Sequence, residues 1–143
     1  MVETPSAALL ADHFARQVDF FSIGTNDLAQ YTMAVERTHP DLVALGDAAS
    51  PAILRLIRTV VEAAHAAGIR ASVCGEMAAD PDLTAVLLGL GVDELSMGAA
   101  AIPRTKALIR GGSFSAARDL AERALALESA RDVRHLASES SPR

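Results

Sequence analysis

An apolar strand, a loop of small and polar residues and a helix follow one another repeatedly along the chain. The strands are predicted at residues 19–23, 69–73 and 92–97, and residues 1–3 look like the end of an earlier one. Strands that alternate with helices are typical of parallel βαβ units. The sequence therefore predicts an α/β fold with a parallel sheet.

The clearest helix begins after Ser50, has Pro51 at its first position and ends before Gly68. Serine caps helix N-termini, proline suits the first turn, and glycine often follows the last one. Further helices are predicted over residues 5–17, 26–35, 80–88, 103–110 and 114–127. We expect one domain over residues 1–137 and a disordered tail over residues 138–143.

The composition of the chain excludes several classes of function. Half of the 143 residues are apolar but only 3% are aromatic, so Ala, Leu, Val and Ile are expected to form the core. The net charge of −5 comes without the basic cluster that binding to nucleic acid requires. Cys74 is the only cysteine of this sequence, which excludes a disulfide within it and a cysteine-based zinc site. No apolar run approaches the ~20 residues that span a bilayer, so we expect a cytoplasmic protein without membrane contact.

The number of strands is too small for a closed barrel. A (β/α)8 barrel needs eight strands and typically about 250 residues, whereas this chain offers three strands and the end of a fourth. A sheet with open edges exposes unpaired backbone groups. The chain is therefore expected either to be a piece of a larger barrel or to pair with another polypeptide.

Two carboxylates, Glu3 and Asp27, follow neighbouring predicted strands. Barrel enzymes place their sites at the carboxyl ends of the strands, and Mg²⁺ takes one or two carboxylates together with water and substrate oxygens. This pattern favours Glu3 and Asp27 as ligands of Mg²⁺. The alternative is that Glu3 is a terminal charge and that Asp27 complements a helix dipole.

An amide and a guanidinium group are candidates for binding an anion. Thr25 and Asn26 follow Gly24 at a predicted helix start, where backbone and amide groups can hold phosphate or carboxylate oxygens. Arg37 lies in the loop after this helix, and a guanidinium can clamp a phosphate through two hydrogen bonds. The alternatives are simple capping of the helix and a surface ion pair for Arg37.

Cys74 ends the second complete strand and precedes Gly75, at the edge where a barrel site would open. Its thiol could protonate a carbanion-like carbon, which is general acid catalysis. The alternatives are a buried small hydrophobic side chain and a reactive thiolate. The histidines show no metal-ligand spacing and are interpreted as structural or surface residues: His13, His39, His65 and His135.

Several stretches of the sequence, in order, resemble the carboxy-terminal domain of enzyme I, the phosphoenolpyruvate (PEP)-protein phosphotransferase of the bacterial sugar phosphotransferase system. They are residues 19–28, 30–35, 74–78 and 91–97. Pyruvate phosphate dikinase and PEP synthase are similar around residues 24–27 and 74–77, whereas residues 30–37 and 96–97 look more like enzyme I.

The resemblance implies the carboxy-terminal half of a (β/α)8 TIM-type barrel and a role for each candidate residue. Glu3 and Asp27 match magnesium ligands, and Asn26 and Arg37 match groups that bind the phosphate of PEP. Cys74 matches the acid that protonates the enolate to give pyruvate. In the family, the phosphoryl group moves to a histidine and then to the small carrier HPr, and the barrel domain forms a homodimer.

Two parts of the family's machinery have no counterpart in this sequence. The family has further phosphate-binding arginines on earlier barrel strands, and its phospho-accepting histidine lies in a separate amino-terminal domain. The resemblance therefore implies a phosphotransferase portion that is incomplete alone. The alternatives are a truncated, non-catalytic module for oligomerisation or regulation, and the related barrel of a dikinase or PEP synthase.

Overall fold

Three parallel strands with helices packed against them form the fold of the chain. The structure is a computed structural model that describes residues 1–36, 39 and 42–140. The strands, adjacent in chain order, are β1 (Phe20–Gly24), β2 (Arg70–Cys74) and β3 (Glu94–Leu95). The α-helices of the described residues are α1 (Pro5–Leu9), α2 (Ala11–Phe14), α3 (Thr25–Met33), α4 (Pro51–Ala66), α5 (Thr84–Gly89), α6 (Ile102–Gly111), α7 (Phe114–Leu125) and α8 (Ala130–Ser140). Short 3₁₀ turns occur at Val43–Gly46, Glu76–Ala79 and Ala99–Ala101.

The register of β1 and β2 runs along their whole length, from Phe20 opposite Arg70 to Gly24 opposite Cys74. β3 pairs in parallel with the other edge of β2, where Val73 lies opposite Leu95. The parallel α/β arrangement predicted from the sequence is confirmed. All three strands therefore point their carboxyl ends at the same edge of the sheet.

The start of the chain adds a bridge to the free edge of β1. Val2 pairs in parallel with Ile23. The Val2 amide donates to the Ser22 carbonyl over 2.8 Å, and its carbonyl accepts from the Gly24 amide over 3.0 Å. This bridge places Glu3 beside the carboxyl end of β1.

The longest helix, α4, has the boundaries that its capping residues predict. The Ser50 hydroxyl accepts from the Ala52 amide over 3.4 Å, and Gly68 adopts a φ of +74° just beyond the last turn. The apolar stripe of α4 is buried against the sheet and the first helices: Ile53, Leu54, Ile57, Val60, Val61 and Ala64. Truncation of a residue such as Leu54 to alanine would cost about 2–5 kcal/mol of stability, because the cavity cannot fully collapse.

Other predicted elements differ in extent from those observed. The helix over residues 5–17 is divided into α1 and α2 at Leu10, whose ψ of 18° leaves the helical region. The strand over residues 92–97 contracts to β3, and the helix expected from residue 80 begins at Thr84. That delay follows from Asp80, whose carboxylate accepts the Asp82 amide over 3.0 Å and holds a turn instead.

The last helix, α8, has no counterpart among the predicted elements. Ser129 accepts a hydrogen bond from the Asp132 amide over 3.2 Å and donates to the Asp132 carboxylate over 2.6 Å, which caps the helix. Val133 and Ala137 anchor α8 in the core. The predicted tail begins inside α8, and residues 141–143 lie outside the described residues.

The core is built from small and branched aliphatic side chains, as the composition predicts. Apolar side chains of α1, α2 and β1 nevertheless remain exposed, among them Leu9 at 66% and Phe20 at 62% of their surface. Within the described part of the chain, no helix combines the length and the apolar character needed to cross a membrane.

Candidate functional site

The carboxyl ends of the sheet bring the candidate residues to one edge. Glu3 follows the Val2 bridge, Asn26 and Asp27 lie in the first turn of α3 directly after β1, and Cys74 ends β2. Parallel (β/α) proteins place their binding sites at this edge. Arg37, the remaining candidate, lies outside the described residues.

Glu3 is held against the backbone of Gly24. A Cβ atom at position 24 would lie 2.7 Å from both Cγ and Oε1 of Glu3, closer than real Cβ contacts allow. The absence of a side chain at Gly24 is therefore what allows the Glu3 carboxyl group to lie across the end of β1. Glu3 keeps part of its surface exposed and accessible to a ligand.

The loop after β2 is docked against the start of α3. Gly75 adopts a φ of +98°, and a Cβ there would lie 2.7 Å from Thr25 Oγ1 and 3.0 Å from Asn26 Oδ1. The Thr25 hydroxyl donates to the Cys74 carbonyl over 2.9 Å, and the Glu76 amide donates to Asn26 Oδ1 over 3.2 Å. These bonds tie the start of α3 to the end of β2 and the turn after it, which lie about 50 residues later in the sequence.

These hydrogen bonds also bear on whether Thr25 and Asn26 serve only to cap α3. α3 has Gly24 as its N-cap, and within the described residues no side chain makes the capping hydrogen bond. Both polar side chains instead bond to the loop after β2. Simple capping of α3 therefore does not account for this pair, whose side chains join α3 to the end of β2 and the turn after it.

The Cys74 thiol lies in a polar setting at the same edge. Ser22 Oγ donates to its sulfur, the sulfur donates to the Ile23 carbonyl, and both distances are 3.5 Å. The side chain is partly exposed, so Cys74 is not the fully buried hydrophobic residue of the first alternative. A carbonyl acceptor beside the sulfur suits the protonated thiol, which is the form that can act as an acid.

The two carboxylates at the edge are ligands of the kind that Mg²⁺ takes. Glu3 and Asp27 are both partly exposed, and Asp27 also lies in the first turn of α3, where the helix dipole favours an anion. Among the residues that the structure describes, no three His, Cys, Asp or Glu side chains form a ready metal cage. Mg²⁺ does not need one, since it usually takes one or two carboxylates and keeps water and substrate oxygens.

A cleft of about 420 Å³ opens beside Asn26 and Glu76. Its other walls come from the segment before α4, the turn after β2 and helix α8, and include Asp47, Asp80 and Arg134. Arg134 Nη2 donates to Asp47 Oδ1 over 2.8 Å, Nη1 donates to Asp80 Oδ2 over 2.9 Å, and Nε donates to Asp47 Oδ2.

The ion pair between Arg134 and Asp47 perturbs the pKa of both groups. Burial acts to raise the pKa of Asp47, but the hydrogen bonds from Arg134 and from the Ala49 amide outweigh it and hold that pKa below its usual value. The hydrogen bond with Asp47 is the main cause that raises the pKa of Arg134, against burial and together with Asp80. Asp47 and Arg134 are therefore both charged at neutral pH.

Sequence reasoning did not find this Arg134 cluster. The pattern Ser129-x-x-Asp132 is a capping signal that could have located α8. The partners of Arg134 lie 54 and 87 residues away along the chain, however, and no local pattern connects them.

Comparison with known proteins finds matches over most of the chain. A family description, PEP-utilising enzyme, PEP-binding domain, matches residues 1–114. The chain belongs to the PEP-utilising enzyme family. The matched range contains all three strands of the sheet. It also contains the five candidate residues: Glu3, Asn26, Asp27, Arg37 and Cys74.

Individual relatives extend the match into α8. Proteins named phosphoenolpyruvate-protein phosphotransferase are 54% identical over 133 residues in Haloferax volcanii and 50% identical over 139 residues in Staphylococcus carnosus. These alignments cover 93% and 97% of this chain but only 24% of each relative. A multiphosphoryl transfer protein of Xanthomonas campestris is 49% identical over 136 residues, which is 95% of this chain and 16% of that protein. The chain thus spans about a quarter or less of the length of these relatives.

Proposed function

We propose that this chain is part of the PEP-binding domain of a PEP-protein phosphotransferase. Together with the rest of the protein, it transfers a phosphoryl group from PEP to a histidine and on to HPr, with pyruvate as the product. The observation that carries the proposal is the match of residues 1–114 to a PEP-binding domain whose candidate residues follow adjacent parallel strands. The relatives' names supply the class of reaction.

The substrate and its metal ion are bound by groups that follow the Val2 bridge and β1 in the sequence. Glu3 and Asp27 hold Mg²⁺, while Asn26 and Arg37 hold the phosphate of PEP. Asn26 suits this role because its Oδ1 atom accepts the Glu76 amide, which holds the side chain and leaves its Nδ2 group as the donor for a ligand. A bound Mg²⁺ offsets negative charge on the phosphoryl group, and fixed donors supply most of the remaining stabilisation.

Cys74 completes the reaction as the proton donor. When the phosphoryl group leaves PEP, the enolate of pyruvate remains, and the thiol transfers its proton to the terminal carbon. Sγ is left as a thiolate, which Ser22 Oγ is positioned to stabilise from 3.5 Å. The exposed part of Cys74 at the carboxyl end of β2 gives the carbon access to the sulfur.

The sheet is proposed to be the carboxy-terminal half of a (β/α)8 barrel. Among the described residues, the outer edge of β1 pairs only through the Val2 bridge, and apolar side chains of α1, α2 and β1 are exposed. Exposed apolar groups and an unpaired edge are the features that further strands would cover. The native full-length polypeptide, or a second chain, supplies those strands and the phospho-accepting histidine.

Titration calorimetry tests the proposed site. A folded sample of the chain, reconstituted with the missing barrel half, is expected to bind PEP when Mg²⁺ is present and much more weakly when it is chelated. Asp27→Asn should remove the Mg²⁺ dependence, whereas Asp119→Asn, an exposed aspartate of α7, should leave it intact. A folded sample that binds no PEP in the presence of Mg²⁺ would show that the assignment is wrong.

A second candidate is a non-catalytic module that dimerises. The exposed apolar side chains of Ile102, Ile109 and Phe114 on α6 and α7 favour it, because such groups commonly mark interfaces. Light scattering combined with the PEP titration separates the two candidates. Dimerisation without PEP binding supports the module, and PEP binding supports the phosphotransferase.

A further inference from the structure

One arginine of the last helix joins the two loops that border the cleft. The guanidinium of Arg134 forks between Asp47, before α4, and Asp80, after β2. Neither loop has another described ion pair with α8. The relation matters because both loops line the cleft that opens beside Asn26.

The turn after β2 is held at both ends. Its first residue, Glu76, donates to Asn26 Oδ1 over 3.2 Å, and Asp80, just beyond its last residue, accepts from Arg134 over 2.9 Å. Between these ends Met77 and Ala78 are buried. A 3₁₀ turn of four residues has few internal hydrogen bonds, so these two anchors, together with the buried side chains, hold its position.

The segment before α4 has a similar anchor. Asp47 follows the 3₁₀ turn Val43–Gly46, and its Oδ1 atom accepts from the Ala49 amide over 2.9 Å as well as from Arg134 over 2.8 Å. Asp47 also accepts from the Ser50 amide through its carbonyl, at the start of α4. Arg134 thus sets the distance between this segment and the turn after β2.

We propose that Arg134 is a positioning residue that holds the turn after β2, and through Glu76 the Asn26 amide, in the geometry required for phosphate binding. This inference rests on the proposed function for the ligand, but the positioning itself is a property of the fold. Arg134 touches no reacting atom. It lies beyond the residues matched by the family's PEP-binding domain, which end at 114.

Charge and geometry explain why an arginine is needed. Asp47 and Asp80 both accept hydrogen bonds from the same guanidinium, so removal of Arg134 would leave two carboxylates facing each other without a cation. A lysine carries the charge but lacks the planar fork that serves two acceptors at once. Val133 and Ala137 are buried independently of Arg134, so α8 should remain docked in the variants.

The test compares Arg134→Gln and Arg134→Lys with Arg58→Gln. Arg58 links α4 to Glu122 of α7 over 3.3 Å, which makes it a matched arginine that bridges two helices away from the cleft. Amide hydrogen exchange is followed at Glu76 and Ala49, and at Val73 of β2 as a measure of global opening, in the chain reconstituted with the missing barrel half. PEP binding with Mg²⁺ is then titrated in the reconstituted sample.

In Arg134→Gln we expect exchange at Glu76 and Ala49 to accelerate about tenfold or more, with Val73 unchanged. Arg134→Lys should recover part of this protection, and Arg58→Gln should alter neither amide. PEP affinity should fall in the same order as protection is lost. Unchanged exchange at Glu76, or acceleration that Val73 shares equally, would overturn the positioning role. Loss of PEP binding in the unsubstituted sample would instead refute the proposed function, because the exchange result does not depend on it.

Discussion

The carboxyl group of Glu3 lies in the space that a Cβ atom on Gly24 would need, 2.7 Å from that position. Gly24 has a φ of −84°, which any residue adopts, so the glycine is needed for space and not for backbone conformation. This pair joins the bridge at Val2 to the first turn of α3. A substitution at Gly24 can therefore test the placement of the Glu3 carboxyl group.

Gly24→Ala should displace the Glu3 carboxylate while leaving the fold nearly intact, because the end of a flexible side chain can swing away. Mg²⁺-dependent PEP binding in the reconstituted sample should weaken about 10-fold or more, as when a ligand's orientation is lost. Titration calorimetry measures this change. Gly98→Ala is the control, since a Cβ there meets no atom within 4 Å. Equal affinities for the two variants would argue against Glu3 as a metal ligand.

Gly75→Ala should destabilise the chain more than Gly68→Ala. Both glycines have a positive φ, +98° and +74°, which costs an alanine about 1 kcal/mol or more. Only at Gly75 would the new Cβ also meet Thr25 Oγ1, at 2.7 Å. The difference in the free energy of unfolding, measured with urea, therefore isolates the contact between the β2 loop and α3. If the two variants are equally stable, this contact is looser than the geometry indicates.

Gly89→Ala should disturb the packing of α5 on α7. A Cβ at Gly89 would overlap the Ala117 carbonyl oxygen, and a backbone atom cannot swing aside. We expect a loss of about 1–3 kcal/mol in the free energy of unfolding, measured by urea denaturation. Gly111→Ala, at the end of α6 where no atom lies within 4 Å, should be neutral or slightly stabilising. If Gly89→Ala leaves the free energy of unfolding unchanged, α5 and α7 can move apart without loss of stability.

The ion pairs of Arg134 should make the stability of the folded chain depend on pH in the acidic range. The pKa of Asp47 is lower in the folded chain than its usual value, so its contribution is complete above about pH 4 and is lost as the pH falls through the folded pKa. Urea midpoints measured from pH 6 down to pH 3 should therefore fall less steeply in Asp47→Asn than in the unsubstituted chain. Parallel pH profiles for the two proteins would contradict the assignment.

Cys74→Ala should separate binding from proton transfer. In a full-length polypeptide that carries the histidine domain, PEP affinity should change little, whereas pyruvate formation should slow by about 10²–10⁴-fold, the range for loss of a general acid. A coupled assay for pyruvate measures the rate. An unchanged rate would show that another group donates the proton.

Elements that depend on local interactions could be predicted from the sequence, whereas features that depend on contacts between distant segments could not. The helix α4 was predictable because Ser50, Pro51 and Gly68 are local signals that act within one turn. The short extent of β3 was not, because its pairing depends on hydrogen bonds to β2, such as that from the Ser96 amide to the Val73 carbonyl over 2.8 Å. α8 had a local capping signal at Ser129, but its packing is a tertiary property.

The sequence by itself determined that strands alternate with helices and that Glu3, Asn26, Asp27 and Cys74 follow strand ends, because periodicity, glycines and short motifs are encoded locally. Only the tertiary structure decided which groups these residues meet. The bond from the Glu76 amide to Asn26 and the fork of Arg134 between Asp47 and Asp80 connect segments 50 to 87 residues apart. Such contacts arise when the sheet brings distant loops to one edge, and no pattern within a single loop specifies them.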